Sequence, residues 1–333
     1  MIASRWPADE IEPAARAVVV GAFDGLHIGH QYLIRRTCAE AASAGVEATV
    51  LTFEPTPDEF FAPPDTPGMR LTVADERLDL LRALCVDHVV IADFNDQLRA
   101  LTAEAFARDV LVGQLNAKVL IAAENHSFGR GAEAGIDAIA RLGQQYGFAL
   151  VVLPLLKLDG EPVSSTQVRR YLREAHAEEA AALLARHYSV RGKVVPGAAV
   201  GRELGFPTAN LQVPANKLIP ASAVYAALAD GPALRSQLGA DSVPCPAAVN
   251  VGPQPTFGRS QSAVEAHMIT DRPLDLMGSQ VDLSFVRRLR FVERFPDTAA
   301  LTARIARDIE EVRTLLSGHA SGSPGGNGQD RPE

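Results

Sequence analysis

Two histidines stand three residues apart in the stretch Val20-Gly21-Ala22-Phe23-Asp24-Gly25-Leu26-His27-Ile28-Gly29-His30, between an apolar run and a helical pattern. Gly21 and Gly25 permit a tight turn and close backbone approach to a ligand, and Gly29 does the same at the helix start. Free N–H groups and the positive end of the helix dipole then face whatever lies beyond the strand end. His27 and His30 can both donate to phosphate oxygens at that spot. The arrangement suits in-line attack on an α-phosphate, where a protein positions reactants and neutralises charge without a covalent nucleophile. A metal pair is a second reading of two such histidines, although no third ligand cluster accompanies them, and ordinary surface or core histidines are a third. Val163 to Arg169 offers a second piece: Ser164, Ser165 and Thr166, followed by Arg169, open a predicted helix and would clamp a triphosphate. One of the two serines also reads as a simple N-cap.

The second half carries its own constellation, Gly201-Arg202-Glu203-Leu204-Gly205-Phe206-Pro207-Thr208-Ala209-Asn210. Pro207 stiffens the backbone while Thr208 and Asn210 project oxygens from one side of an extended segment. Mg²⁺ favours a few protein oxygens completed by phosphates and water, so the pair is a credible half-site. A turn in which both residues cap their own backbone is the plainer alternative. In Val264-Glu265-Ala266 one carboxylate stands among apolar neighbours of a predicted strand. It reads either as a solvent-facing strand Glu or as a general base for a hydroxyl nucleophile.

The elements that must hold these groups follow from periodicity. Val18-Val19-Val20 reads as a strand, residues 30–44 as a helix with Leu33, Ile34, Cys38 and Ala41 on one face and Gly45 as its stop, and Val46 to Phe53 as a second strand. Further strands are expected at 87–92, 117–123 and 148–154, with helices at 74–85, 102–113, 134–147, 165–175 and 177–186. That alternation predicts a parallel sheet covered on both faces. The proline-rich stretch Glu54 to Arg70 reads as an exposed loop or insertion. From Tyr188 short runs at 188–195, 223–229, 246–251, 263–270 and 280–285 alternate with turn residues, as in a small antiparallel barrel. An amphipathic helix from about Asp297 to Leu316 closes the fold, and residues 317–333 read as a disordered tail. The boundary between the halves falls near residue 187.

The chain of 333 residues is 47% apolar and 22% charged, enough for two cores. Its net charge is −8; residues up to 187 hold 17 basic and 26 acidic side chains, and the remainder 15 and 14. Neither half has the basic excess of a nucleic-acid groove, so polynucleotide binding is not expected and a small anionic ligand is. No apolar run is long enough to span a membrane, and the first residues carry Asp9, Glu10 and Glu12 in place of a basic flank. Cys38, Cys85 and Cys245 lack paired spacing, so neither a disulfide framework nor a zinc site is expected, and the compartment reads as cytoplasmic.

The quoted residues also carry a family resemblance. Gly21 to His30 resembles the signature of the HIGH-type nucleotidyltransferases, and Ser164 to Arg169 resembles their second triphosphate-binding element. Together with Thr52-Phe53-Glu54-Pro55 and Glu124-Asn125-His126-Ser127-Phe128-Gly129, the first half is similar to bacterial bifunctional riboflavin kinase/FMN adenylyltransferases (FAD synthetases). Residues 186–316 look like a complete riboflavin kinase domain, with Gly192 to Val195, the Gly-Phe-Pro-Thr-Ala-Asn segment, Ala223-Val224-Tyr225, Asn250 to Phe257, Glu265 and Leu289-Arg290 through Phe295. The resemblance covers about residues 15–316. It implies a Rossmann-like nucleotidyltransferase domain over 1–186, which joins FMN to the AMP moiety of ATP. An antiparallel barrel with a C-terminal helix over 187–316 would phosphorylate riboflavin with ATP and Mg²⁺.

Carried over, Gly21, Phe23, Gly25, His27, Gly29 and His30 would surround the ATP phosphates, and Ser164, Ser165, Thr166 and Arg169 would hold the triphosphate. Asn125, Phe128 and Arg290 would contact flavin. Gly205, Pro207 and Thr208 would meet the second ATP, Thr208 and Asn210 the Mg²⁺, and Glu265 would be the base. The partners implied are small molecules, with at most weak self-association. Thr56, His126, Ala223 and Met277 depart from the family pattern and bear on the flavin walls more than on reaction type. One activity retained alone, or a non-catalytic flavin-binding regulator, are the alternatives. A class I aminoacyl-tRNA synthetase shares the His-Ile-Gly-His string, but the chain has no clear Lys-Met-Ser-Lys-type loop.

Overall fold

The computed structural model describes residues 1–63, 66, 68–197, 201, 204–253 and 262–317. Residues 318–333 of the expected tail, Arg202 and Glu203, and residues 254–257 of the Asn250–Phe257 stretch with the four that follow lie outside the described residues. The chain forms two compact units, Met1–Arg169 with Leu183–Ala185, and Arg170–Ala182 with the chain from Arg186.

The first unit is built on β1 (Ile2–Trp6), β2 (Arg16–Val20), α1 (Ile28–Ala44), β3 (Glu47–Glu54), α2 (Pro57–Phe61), α3 (Ala74–Arg82), β4 (His88–Asp93) and α4 (Asp96–Ala100). α5 (Ala103–Ala105) runs directly into a π-helix over Phe106–Gln114; then come β5 (Ala117–Ala123), α6 (Ile136–Tyr146) and β6 (Ala149–Leu153). The six strands form one sheet in the order β1-β4-β3-β2-β5-β6, with every pairing parallel. All five residues of β2 are buried, as a central strand covered on both faces requires. Successive side chains point to opposite faces. Ala17, Val19, Val50, Val89 and Ile91 therefore pack with Ile34 and Ala41 of α1 and Leu81 of α3. Val18, Val20, Leu51, Phe53 and Val90 pack with Phe106, Val110 and Ile139 on the other side. The chain leaves β2 for β3 on one side while β5 lies on the other, so the end of β2 is the crevice where open α/β sheets take ligands.

Two expectations for this unit need correction. Cys38 and Cys85 form a disulfide, with their Cα atoms 6.0 Å apart. Their separation of 47 residues carries no pairing signal; the bond forms because α1 and the segment after α3 pack on the same sheet face. The stretch Glu54 to Arg70 is not simply an exposed loop. Thr56 is buried and caps α2 through Glu59 N, and Arg70 is only 2% exposed. The Arg70 guanidinium donates to Glu54 at 2.6 and 2.8 Å and also pairs with Glu59, while Arg77, 1% exposed, reaches Glu54 at 3.0 Å. Buried arginines remain inside because these carboxylates pair with them.

The hairpin β7 (Lys157–Leu158) and β8 (Glu161–Pro162) precedes α7 (Ser165–Arg173) and α8 (Ala177–Leu184). The second unit continues with β9 (Tyr188–Val195), β10 (Ala209–Gln212), β11 (Ala223–Asp230), α9 (Pro232–Leu238), β12 (Cys245–Pro253), β13 (Ser262–Met268), β14 (Gln280–Phe291) and α10 (Thr298–Leu316). The strands close a barrel in the order β10-β13-β12-β11-β14-β9, and β14 extends six residues beyond the expected end. Tyr225, Val249, Val251, Val264 and Ala266 are buried within it. The opposite parity faces α10, where Ala226 packs with Val312 and Leu316. Asp297 caps α10 by accepting from Ala300 N at 2.8 Å.

Candidate active sites

In the first unit the site grows from the turn after β2. Gly21 N donates to Leu51 O at 3.0 Å, holding the end of β2 on β3. Phe23, Gly25 and Leu26 all take positive φ (50°, 80° and 41°), which folds the backbone tightly over the strand ends. A Cβ on Gly25 would come within 2.7 Å of Leu71 Cδ1, so no larger residue fits there without movement. His27 is the N-cap of α1, its Nδ1 accepting from His30 N at 3.3 Å. The imidazoles of His27 and His30 stack with centroids 3.6 Å apart, and Phe23 meets His30 edge-on at 5.2 Å.

Burial pushes the His30 imidazole well below its ordinary pKa, and the neighbouring His27 adds to the effect. His30 Nδ1 is buried without a hydrogen-bond partner among the described residues. A cavity of about 300 Å³ opens beside the pair, bordered by Gly21, Phe23, Gly29, Asn125, Ser164 and Ser165 as well as both histidines. His126 borders it too, its pKa pushed down to about 4 by burial.

The serine–arginine element lands on the same side, but its parts divide. Ser164 caps α7, its Oγ accepting from Gln167 N at 3.2 Å, and Ser165 Oγ donates to Asp24 O at 2.8 Å. Thr166 is exposed and lines no described cavity. Arg169 is buried away from the cavity lining: it donates to Asp24 Oδ2 at 2.7 Å and to Met69 O at 2.8 Å. Asp24 also accepts from the backbone N–H groups of Leu71 and Thr72 at 3.0 and 2.9 Å. Asp24 thus joins the glycine turn, the segment before α3, and α7. It escaped the sequence reading although it lies inside the motif, because its partners are distant in the chain. Phe128 does not reach the cavity; it is buried against Phe106 at 5.0 Å between ring centroids.

In the second unit Glu265 lies directly opposite Asn210 of β10 and Asn250 of β12. Val264 and Ala266 point into the barrel, so the alternation of β13 turns Glu265 outward beneath α10. There it borders a cavity of about 390 Å³ with Val224, Asn250, Arg290, Phe295, Leu301 and Ile305. Burial raises its carboxyl pKa above the ordinary range. Arg290 donates to Asp308 at 2.8 Å, and its guanidinium stands 5.7 Å from the Phe295 ring centre. A second cavity of about 650 Å³ is bordered by Gly205, Pro207, Thr208, Arg272, Asp275 and Arg313. Phe206, Thr208 and His267 border both cavities.

Asn210 stands outside both linings, with Gly197 so close that a Cβ there would collide with its amide; a Cβ on Gly201 would lie 3.1 Å from Thr208 Oγ1. A hydroxyl and an amide, both neutral oxygen donors bordered by close glycine backbone, suit a hard divalent ion that keeps phosphate and water ligands.

The sequence matches two family profiles in succession, FAD synthetase over residues 9–167 and riboflavin kinase over residues 184–316. A bifunctional riboflavin kinase/FMN adenylyltransferase from Escherichia coli K12 is 34% identical over 90% of this chain and 92% of its own length. Its counterpart from Pseudomonas fluorescens is 33% identical over 92% and 96%. A crystal structure of a protein described as a macrolide-efflux protein from Streptococcus pneumoniae superposes with a TM-score of 0.82 at 26% identity, covering 94% of this chain and 99% of that one. Ligand-sized cavities on two different scaffolds, one on the parallel sheet and an adjoining pair on the barrel, are what such a pairing of activities needs, and the chain belongs to the bifunctional riboflavin kinase/FMN adenylyltransferase family.

Proposed function

We propose that residues 1–186 transfer the adenylyl group and residues 187–316 the phosphoryl group, each at the cavity described above. In the kinase step Glu265 takes the proton of the riboflavin 5′-hydroxyl. That oxygen attacks the γ-phosphorus of ATP, the bond to the bridging oxygen breaks, and ADP leaves with the electron pair. A carboxylate with a raised pKa is the stronger base for this task. The apolar cavity of Leu301, Ile305 and Phe295 would take the flavin, and the neighbouring cavity beyond Thr208 the nucleotide. Arg290, braced by Asp308, would meet the flavin. Thr208 and Asn210 would hold Mg²⁺, which when bound offsets phosphate charge.

In the adenylyl step a phosphate oxygen of FMN attacks the α-phosphorus of ATP and pyrophosphate departs. The backbone of residues 21–29 with His27 and His30 would donate to the charge that develops. Ser164 and Ser165 line the same cavity and support this placement, and Asn125 would meet the flavin from its rim. Arg169 acts on this reading through Asp24, as a brace for the turn. Among the described residues no helix is long and apolar enough to cross a membrane. The need for ATP and the likeness to bacterial enzymes of this family support a cytoplasmic enzyme, at most weakly self-associating; the Cys38–Cys85 bond removes the cysteine argument for that compartment.

The observation that carries this reading is the outward Glu265 in an apolar cavity that adjoins a second across Thr208. Glu265→Ala is expected to abolish FMN formation from riboflavin while FAD formation from supplied FMN continues, as chromatography of the products would record. Equal loss of both steps in a folded variant would overturn the separation of sites.

A further inference from the structure

His267 lies two residues beyond Glu265 on β13, and so on the same face of the strand. It borders both cavities of the second unit. Its Nδ1 is 2.8 Å from the carbonyl oxygen of Pro207. A carbonyl only accepts, so Nδ1 carries the proton and the tautomer is fixed. The ring is held from a second side by Phe206, edge-on at 5.9 Å between centroids.

The location of that bond gives it a purpose. The β10–β13 ladder begins at Ala209 opposite Ala266 and does not include Pro207 or Thr208. Pro207 has no N–H of its own and stands before the first ladder pair. The segment carrying Thr208 along the border of the two cavities would thus run without backbone pairing to β13. The His267 side chain supplies the donor that the ladder does not.

We propose that His267 is a positioning residue for phosphoryl transfer, its Nδ1–H anchoring the Pro207 carbonyl so that Thr208 is held between the two cavities. The inference rests on the kinase reading given above. It assigns His267 no proton transfer and no contact with the reacting atoms; the effect passes through Pro207 to Thr208.

Two replacements separate this role from others, because the Asn amide nitrogen occupies the place of Nδ1 and the Gln amide nitrogen that of Nε2. Riboflavin phosphorylation would be measured for the full chain and for His267→Asn and His267→Gln, with KM for ATP and for riboflavin determined separately. Thermal unfolding and FAD formation from supplied FMN serve as controls. His267→Asn is expected to stay within about 3-fold of the parent, whereas His267→Gln raises KM for ATP about 10-fold with little change in KM for riboflavin. Gln working as well as the parent while Asn fails would place the needed group at Nε2 and overturn the proposal. Equal loss in both folded variants, or loss in neither, would also overturn it. A parent chain that leaves riboflavin unphosphorylated would remove the kinase reading itself, and this inference with it.

Discussion

His30 shows how a buried side chain is prepared for an anion. Its pKa is depressed by burial and by the stacked His27, so at neutral pH the imidazole is uncharged. A polyphosphate placed beside it favours the protonated form and moves the pKa upward. ATP binding should therefore take up a proton between the free and bound pKa values. Uptake is largest on the acid side of neutrality and vanishes once the pH exceeds the bound value. Calorimetric titration in buffers of different protonation enthalpy would measure the uptake, and its difference from that of His30→Asn isolates this group; no difference would remove His30 from phosphate binding. His30→Ala should slow adenylylation by about 10²-fold or more if the residue donates to transition-state charge, while riboflavin phosphorylation is unchanged. Arg169 teaches the converse. Its side-chain type suggests a phosphate clamp, but its guanidinium is committed to Asp24 and the Met69 carbonyl.

At the scale of elements, the disulfide between Cys38 and Cys85 ties α1, which carries His30, to the segment between α3 and β4. Closing that loop should contribute roughly 2–4 kcal/mol to the first unit, mainly by restricting the unfolded chain. Denaturant unfolding with and without reductant would measure this, and Cys38→Ala should unfold like the reduced parent. Identical curves would show that the bond carries no stability. The sequence makes β2 to β5 legible because strands covered on two faces are continuous apolar runs, as Val18-Val19-Val20 is; β6 is an edge strand, half exposed, and is legible only because its five residues are all apolar. β1 is an edge strand with mostly exposed side chains and a proline directly after Trp6, and it leaves no such trace. The glycine–histidine turn was legible because positive φ and capping are local demands. The Asp24–Arg169 pair, the disulfide and the buried position of Phe128 are tertiary, and no spacing announces them.

On the scale of the whole molecule, the two reactions are chemically linked only through FMN, a product of one and a substrate of the other. If FMN is released between steps, mixing Glu265→Ala with His30→Ala should restore conversion of riboflavin to FAD, since each variant retains the site the other lacks. Failure of the mixture, with each variant active in its remaining step, would mean that FMN is not exchanged between molecules. The closed barrel has one more consequence. Glu265 faces outward only because β13 meets both neighbours in a fixed phase, opposite Asn210 and Asn250. Adding or deleting one residue within β13 would rotate the carboxylate into the apolar interior and expose Val264 or Ala266 instead. With no open edge along which to slide, a change of length is borne between strands or by a bulge such as those between β11 and β14, and substrate preference is set by the outward side chains of the strands together with the facing helix.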